Sequence, residues 1–146
     1  RLRGGHRRRG LTGRERRADA METYDPETAP DAAEWLALEE DERVDRISAY
    51  HRRAKVTLPN RQVHAVPHSV VEIQIAEEMH TVRETVVRLQ KEGLSRHDAL
   101  HAVGSVLVGR LHALMQAGAR AQFEVEAYFQ ELRSLSAKRW LREGSR

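Results

Sequence analysis

The chain has 146 residues, of which 40% are hydrophobic and 32% charged, and its formal net charge is +3. This size and composition suit one domain with a modest core. Cysteine is absent, which excludes disulfides, thiolate catalysis and cysteine-ligated metals, so any metal must be held by His, Asp, Glu or Gln. The sequence shows neither an apolar run near the roughly 18 residues of a membrane helix nor an apolar signal-peptide segment. We therefore expect a cytoplasmic protein that does not enter membranes.

The positive charge is concentrated at the start of the chain. Residues 1–20 contain eight arginines against Glu15 and Asp19, a net charge of +6, so residues 21–146 carry −3. This stretch is rich in glycine and poor in apolar residues, a composition typical of disorder. We predict a disordered Arg-rich tail over residues 1–24, with Met21 as the candidate native start. The alternative is a basic arm that binds nucleic-acid phosphates weakly, although the acidic body argues against a nucleic-acid-binding fold.

Residues 25–143 predict a single all-α domain, a compact bundle of about five or six helices. Asp31 is a good N-cap and predicts a short helix that buries Trp35, followed by a longer helix that reaches Ala54. The turn pair Pro59-Asn60 predicts a loop.

Apolar residues return at helical spacing over residues 63–79, with Pro67 expected in the first turn, where no amide partner is required. Thr81 is the predicted cap of the next helix, and Gly93 its predicted end.

Residues 95–98, with the sequence SRHD, fit a capping box with Asp at the fourth position. This signal predicts a helix that begins at Ser95 and is interrupted at Gly118. Residues 121–143 predict one further helical segment that packs back on the bundle. Short loops would pair neighbouring helices antiparallel.

Histidines occur in two pairs with the same spacing. Residues four apart in a helix lie on one face, about 6 Å apart, so both rings of such a pair can reach one metal ion. Two pairs on neighbouring helices predict a metal site with these ligands: His64, His68, His97 and His101. Glu72 and Gln74 are predicted as neighbours of the ligands. Imidazole ligands suit zinc, iron, nickel or manganese. Because the sequence has no Gly-rich phosphate loop, no nucleotide cofactor is expected.

Two other readings of the histidines stay open. Structural histidines that hydrogen-bond in the core would show the same spacing, and the protein would then be a non-enzymatic interaction module. If a bound metal kept an open position it could activate water, with Glu72 as the candidate base, and the protein would be a small hydrolase. His51 has no paired histidine; together with Tyr50 it fits an acid/base pair less well than the boundary of a buried face. The sequence names no partner, and helices of this length are compatible with a homodimer.

Three segments resemble a bacterial family of uncharacterised small helical proteins, the domain of unknown function numbered 1841. The segments are DAAEWLALEEDERVDRISAYHRRA, LPNRQVHAVPHSVVEIQIAEE and VRLQKEGLSRHDALHAVGSVL. The family pattern joins H-x3-H, a glutamine and R-H-x3-H, and the matching positions here are His64, His68, Gln74, Arg96, His97 and His101. The resemblance covers roughly residues 25–143 and brings no activity with it. It implies that these polar residues form the functional site. The chain differs from the family pattern around Glu72.

Overall fold

The computed structural model of the chain describes residues 12–15, 24–55 and 61–144, with residues 61–63 and 144 described by their backbone alone. Within these ranges the protein is all-α and has no strand, as the sequence predicts. Seven helices lie between residues 32 and 144, and one helical turn lies over residues 13–15, slightly more than the predicted five or six. Most of the predicted tail, including Met21, lies outside the described residues.

The helices follow one another through short connections. They are α1 (Ala32–Ala37), α2 (Glu40–Arg53), α3 (Arg61–Ala76), α4 (His80–Lys91), α5 (Arg96–Ala117), α6 (Val125–Ser134) and α7 (Ala137–Gly144). The central pair is α3 and α5, which pack against each other. In addition, α3 packs against α1, α2 and α4, while α5 packs against α4 and α6.

Local signals set several helix ends, as predicted. The Asp31 carboxylate and the Ser95 hydroxyl each accept a hydrogen bond from the amide three residues later, at 3.0 and 3.1 Å. Gly93 (φ 111°) follows α4, and Gly118 (φ 100°) follows α5. Because side chains with a Cβ rarely adopt such φ values, glycine is the natural residue at both positions.

Two predicted helix starts are corrected by the structure. The third helix begins at Arg61, so Pro67 lies inside it and not in its first turn. Proline fits helical φ but removes one backbone hydrogen bond there. The fourth helix begins after Met79, which leaves the predicted cap Thr81 inside the helix, where its carbonyl accepts a hydrogen bond from the Thr85 hydroxyl at 2.7 Å.

The predicted last segment is two helices. Leu135 is extended, and the Ser136 hydroxyl accepts a hydrogen bond from the amide three residues later and begins α7. Side chains from the end of α4 and from its C-cap bind both sides of this break: Arg88 of α4 donates to the Leu135 carbonyl at 2.7 Å, and the C-cap residue Glu92 accepts from the Ala137 amide at 3.1 Å. These contacts explain the additional helix.

Two apolar clusters form the core. The larger is built from α3 to α6 together with Leu135 and Ala137, the first residue of α7, and the smaller contains Tyr24, Trp35, Ile47 and Ala65. Trp35 is only 2% exposed, which confirms its predicted role as a core residue. None of the helices in the described part of the chain is long and apolar enough to cross a membrane.

Candidate metal centre

Four histidines from three helices meet in one place. His51 comes from the last turn of α2, His68 from the middle of α3, and His97 and His101 from the first two turns of α5. Each ring offers one nitrogen such that the four nitrogens all lie within 4.8 Å of one another. We call this group the histidine cluster. Residues far apart in the sequence therefore combine into one potential ligand set.

The rings of the histidine cluster have a nearly tetrahedral arrangement. The six distances between ring centroids are 4.4, 5.2, 5.3, 5.3, 5.5 and 5.7 Å. Four points with such similar separations lie near the corners of a tetrahedron, whereas a square has two separations clearly longer than the other four. Four imidazoles bound to one ion at about 2.0–2.1 Å would have centroids about 5 Å apart. The spacing of the rings thus matches a tetrahedral metal site.

Individual nitrogen atoms point to the same arrangement. His51 Nε2 lies 3.1 Å from His97 Nε2, close to the separation of two nitrogens on one tetrahedral ion, about 3.3 Å. His68 Nδ1 and His101 Nε2 are buried and have no hydrogen-bond partner among the described residues. A buried polar atom without a hydrogen-bond partner lowers the stability of the fold by about 1–3 kcal/mol. Two such nitrogens in one cluster therefore indicate that a ligand binds there.

Burial keeps the rings of His68, His97 and His101 neutral. It lowers the pKa of His68 well below the usual imidazole value, and the nearby rings of His101, His97 and His51 lower it further. Burial, followed by the effect of His97 and His51, lowers the pKa of His101 to about 3. The pKa of His97 is also lowered by burial, although nearby carboxylates oppose the shift. Neutral imidazole is the form that binds metal, so protons would not compete at neutral pH.

The segment before α1 covers one side of the cluster. The Tyr24 hydroxyl lies 2.8 Å from His68 Nε2, and the Tyr24 ring stacks on Trp35 with centroids 5.2 Å apart. Arg53 donates to the Tyr24 carbonyl at 3.1 Å. Burial raises the pKa of Tyr24 far above its usual value, so its hydroxyl stays protonated. Tyr24 therefore belongs to the site, although the predicted tail extended to residue 24.

The same segment fixes the start of α5. One Glu27 carboxylate oxygen accepts from the Arg96 amide at 3.0 Å and the other from the His97 amide at 3.3 Å. The Pro26 carbonyl accepts from the Arg96 guanidinium at 2.8 Å. These bonds hold the turn that carries His97 toward the cluster.

Glu72 lies one turn beyond His68 and faces a cation. Its carboxylate oxygen Oε1 is 2.7 Å from Arg96 Nη1, and both side chains are buried. Burial raises the pKa of Glu72, while the Arg96 charge opposes that shift. Glu72, predicted as a neighbour and candidate base, is thus engaged in an ion pair beside the histidine cluster.

His64, which the spacing predicts as a ligand, is not part of the histidine cluster. Its place among the four histidines is taken by His51. His64 is exposed and lies beside a cavity with Gly104 and Ser105. Glu72 faces Arg96 while His68 faces His101, so α3 and α5 run antiparallel. His64 lies one helical turn, about 5.4 Å, before His68 on α3. This displacement places it beside residues 104 and 105 of α5, beyond the two turns that contain His97 and His101.

Gln74 also lies away from the cluster. It follows His68 by six residues, which places it about 240° around the helix. Its Oε1 accepts a hydrogen bond from the Tyr128 hydroxyl at 2.8 Å, so it joins α3 to α6. Gln74 therefore holds the bundle together at a different face of α3.

Sequence reasoning missed two residues of the site, His51 and Tyr24. His51 stands four residues after the buried Ile47, so its place on the buried face of α2 was detectable. A single histidine on a helix, however, produces no spacing pattern. Tyr24 lies outside any helix, and nothing in the neighbouring sequence marks it.

Comparison of the chain with protein-family models, with curated proteins and with solved structures finds no match in any of the three. The relation to the family of unknown function 1841 stays a prediction.

Proposed function

We propose that this protein binds one divalent transition-metal ion, most favourably zinc, through His51, His68, His97 and His101. The observation that carries the proposal is the near-tetrahedral arrangement of the four rings, with ligand nitrogens within 4.8 Å of one another. Zinc accepts imidazole nitrogens and prefers four tetrahedral ligands. Square-planar Cu(II) or Ni(II) fits the arrangement less well, and manganese prefers oxygen ligands, which the cluster does not offer.

The alternative, an interaction module with purely structural histidines, requires each ring to be satisfied by its own hydrogen bonds. Instead, the rings converge, and a nitrogen of His68 and a nitrogen of His101 are buried without a hydrogen-bond partner in the described structure. This convergence favours a metal ligand set over a structural network.

The role of the ion follows from where its ligands come from. Binding would join α2, α3 and α5, with Tyr24 orienting His68 from outside the ligand set. Because an unfolded chain does not hold these ligands together, metal binding would stabilise the fold. The ion pair with Arg96 occupies the Glu72 carboxylate, so the proposal does not include a hydrolytic step through Glu72.

Elemental analysis of protein purified without a histidine tag tests the proposal. The wild type should contain, or take up from added zinc, about one ion per chain, and His97→Ala/His101→Ala should contain none. The control variant His80→Ala/His112→Ala removes two exposed histidines outside the cluster and should match the wild type. Circular dichroism checks that both variants remain helical. A helical wild type that takes up neither zinc nor cobalt would overturn the proposal.

A further inference from the structure

A cavity of about 250 Å³ adjoins the histidine cluster. His68 and His101 form part of its wall, so a molecule in the cavity could reach an ion that the cluster holds. The rest of its lining consists of the apolar residues Pro67, Gly104 and Val108 and the polar residues His64 and Ser105. A pocket with apolar walls and a few polar groups at one end is the common form of a small-molecule site.

The charge balance of the metal centre favours an anion in this cavity. Four neutral imidazoles leave a divalent ion with its full positive charge, and a buried charge without compensation is unfavourable. Glu72 is paired with Arg96, and the carboxylates that act on His97, those of Asp98, Glu27 and Asp25, are not among the residues that line the cavity. Among the residues whose side chains the structure describes, no Asp, Glu, Lys or Arg lines the cavity. An anionic ligand that enters from this side would supply the missing negative charge.

We propose that the cavity binds a small monocarboxylate, with its carboxylate as a fifth ligand on the ion, a coordination number to which zinc sites can expand, and its aliphatic body against Pro67, Gly104 and Val108. This inference rests on the proposed metal binding. A methylene group fills about as much space as a water molecule in the liquid, about 30 Å³, so the cavity has room for a chain of roughly four to six carbons.

The wall at Gly104 offers a matched test of the fit. A Cβ at Gly104 would lie 3.5 Å from the Cβ of Pro67, an ordinary contact, so Gly104→Ala adds a methyl group to the cavity wall without displacing α3. A Cβ at Gly109, on the same helix, meets nothing within 4 Å. Gly109→Ala therefore controls for the change in helix propensity.

The experiment titrates the cobalt-loaded full chain with acetate, butyrate, hexanoate and octanoate, and follows the visible absorption of cobalt, which reports its coordination. In the wild type the dissociation constant should fall about fourfold for each added methylene up to about hexanoate, and rise for octanoate. Gly104→Ala should raise the dissociation constant of hexanoate at least fivefold and leave that of acetate unchanged. Gly109→Ala should behave as the wild type.

The possible failures are distinguishable. If cobalt binds but no carboxylate changes its spectrum, the inference is overturned and metal binding stands. The cavity is excluded as the binding site if the affinity for carboxylates does not increase with their chain length. It is also excluded if Gly104→Ala and Gly109→Ala bind hexanoate equally well. If the wild type binds no cobalt, the metal proposal and this inference fail together.

Discussion

The Tyr24 hydroxyl is the contact that orients a ligand of the proposed metal centre. It bonds His68 Nε2, which leaves Nδ1 of the same ring as the buried nitrogen without a partner in the described structure. The partner of the second nitrogen of a metal-binding histidine commonly fixes its tautomer and ring orientation. With the metal on Nδ1, Nε2 would carry the proton and donate to the Tyr24 hydroxyl oxygen, and this bond would hold the His68 ring in place.

Tyr24→Phe isolates this contact, because the ring can remain stacked on Trp35. We expect zinc affinity to fall about 10- to 100-fold, as is typical when the hydrogen-bond partner of a ligand is removed. The free energy of unfolding of the metal-free protein should fall by only about 1 kcal/mol. Chelator competition measures the first quantity and urea unfolding the second.

Tyr50→Phe is the matched control. The Tyr50 ring contacts His97 edge-on at 5.3 Å, and this contact does not depend on the hydroxyl. Its zinc affinity should stay within about twofold of the wild type, since no hydrogen bond to a ligand is removed. Equal losses in the two variants would contradict the orienting role of Tyr24.

Among single residues, spacing could identify only histidines that occur in pairs. His68, His97 and His101 were predictable because each belongs to an H-x3-H pair. His51 was not, because its partners come from other helices. His64 satisfies the spacing but lies one turn too far along α3, and the register of two antiparallel helices cannot be read from either helix alone.

At the scale of helices, the buried ion pair between Glu72 and Arg96 fixes how α3 sits on α5. Glu72 is 1% and Arg96 7% exposed, and their charged atoms are 2.7 Å apart. Removing one partner of such a pair leaves an uncompensated buried charge, whereas replacing both with apolar side chains is often tolerated.

Arg96→Met should therefore lower the free energy of unfolding of the metal-free protein by about 3–5 kcal/mol. Glu72→Met/Arg96→Met should recover most of that loss, although the bond from Arg96 to the Pro26 carbonyl is still absent. Urea unfolding of the two variants and the wild type gives the values. A double variant that is less stable than Arg96→Met would show that the pair does not act as a unit.

Helix ends were predictable where the signal is local. Asp31 and Ser95 cap through their own side chains, and Gly93 and Gly118 adopt positive φ, so nearby residues suffice. The break at Leu135 was missed because Arg88 of α4 and Glu92, the residue that follows α4, support it from more than 40 residues away. Hydrogen bonds between segments that are distant in the sequence produce no periodic pattern in it.

At the scale of the whole molecule, a cluster of neutral histidines couples folding to pH. The pKa values of His68, His97 and His101 are lowered in the folded protein but ordinary in the unfolded chain, so the unfolded chain binds more protons below about pH 6.5. Stability is then complete above that pH and is lost as the pH falls toward the folded-state values. Glu72, whose pKa is raised, opposes this trend.

The metal-free protein should accordingly lose about 2–4 kcal/mol of unfolding free energy between pH 7.5 and pH 5. Urea unfolding at several pH values in the presence of a chelator measures the slope. His80→Gln/His112→Gln, which changes only exposed histidines, should keep the same slope. A flat profile would mean that the buried rings take up protons as freely as the unfolded chain.

The all-α class was predictable because helical periodicity and caps recur along the whole body of the chain. The site was predictable only in part, since it is assembled where α2, α3 and α5 meet. If one ion joins these helices, its binding must appear as stability of the entire fold.

The most direct test is urea unfolding with and without zinc for the wild type, His51→Ala and His64→Ala. At a free zinc concentration 100 times the dissociation constant, zinc should raise the free energy of unfolding of the wild type by about 2.7 kcal/mol. The free energy of unfolding of His64→Ala should rise by the same amount. For His51→Ala, zinc should add little to the free energy of unfolding. A full gain in His51→Ala together with a loss in His64→Ala would contradict the account.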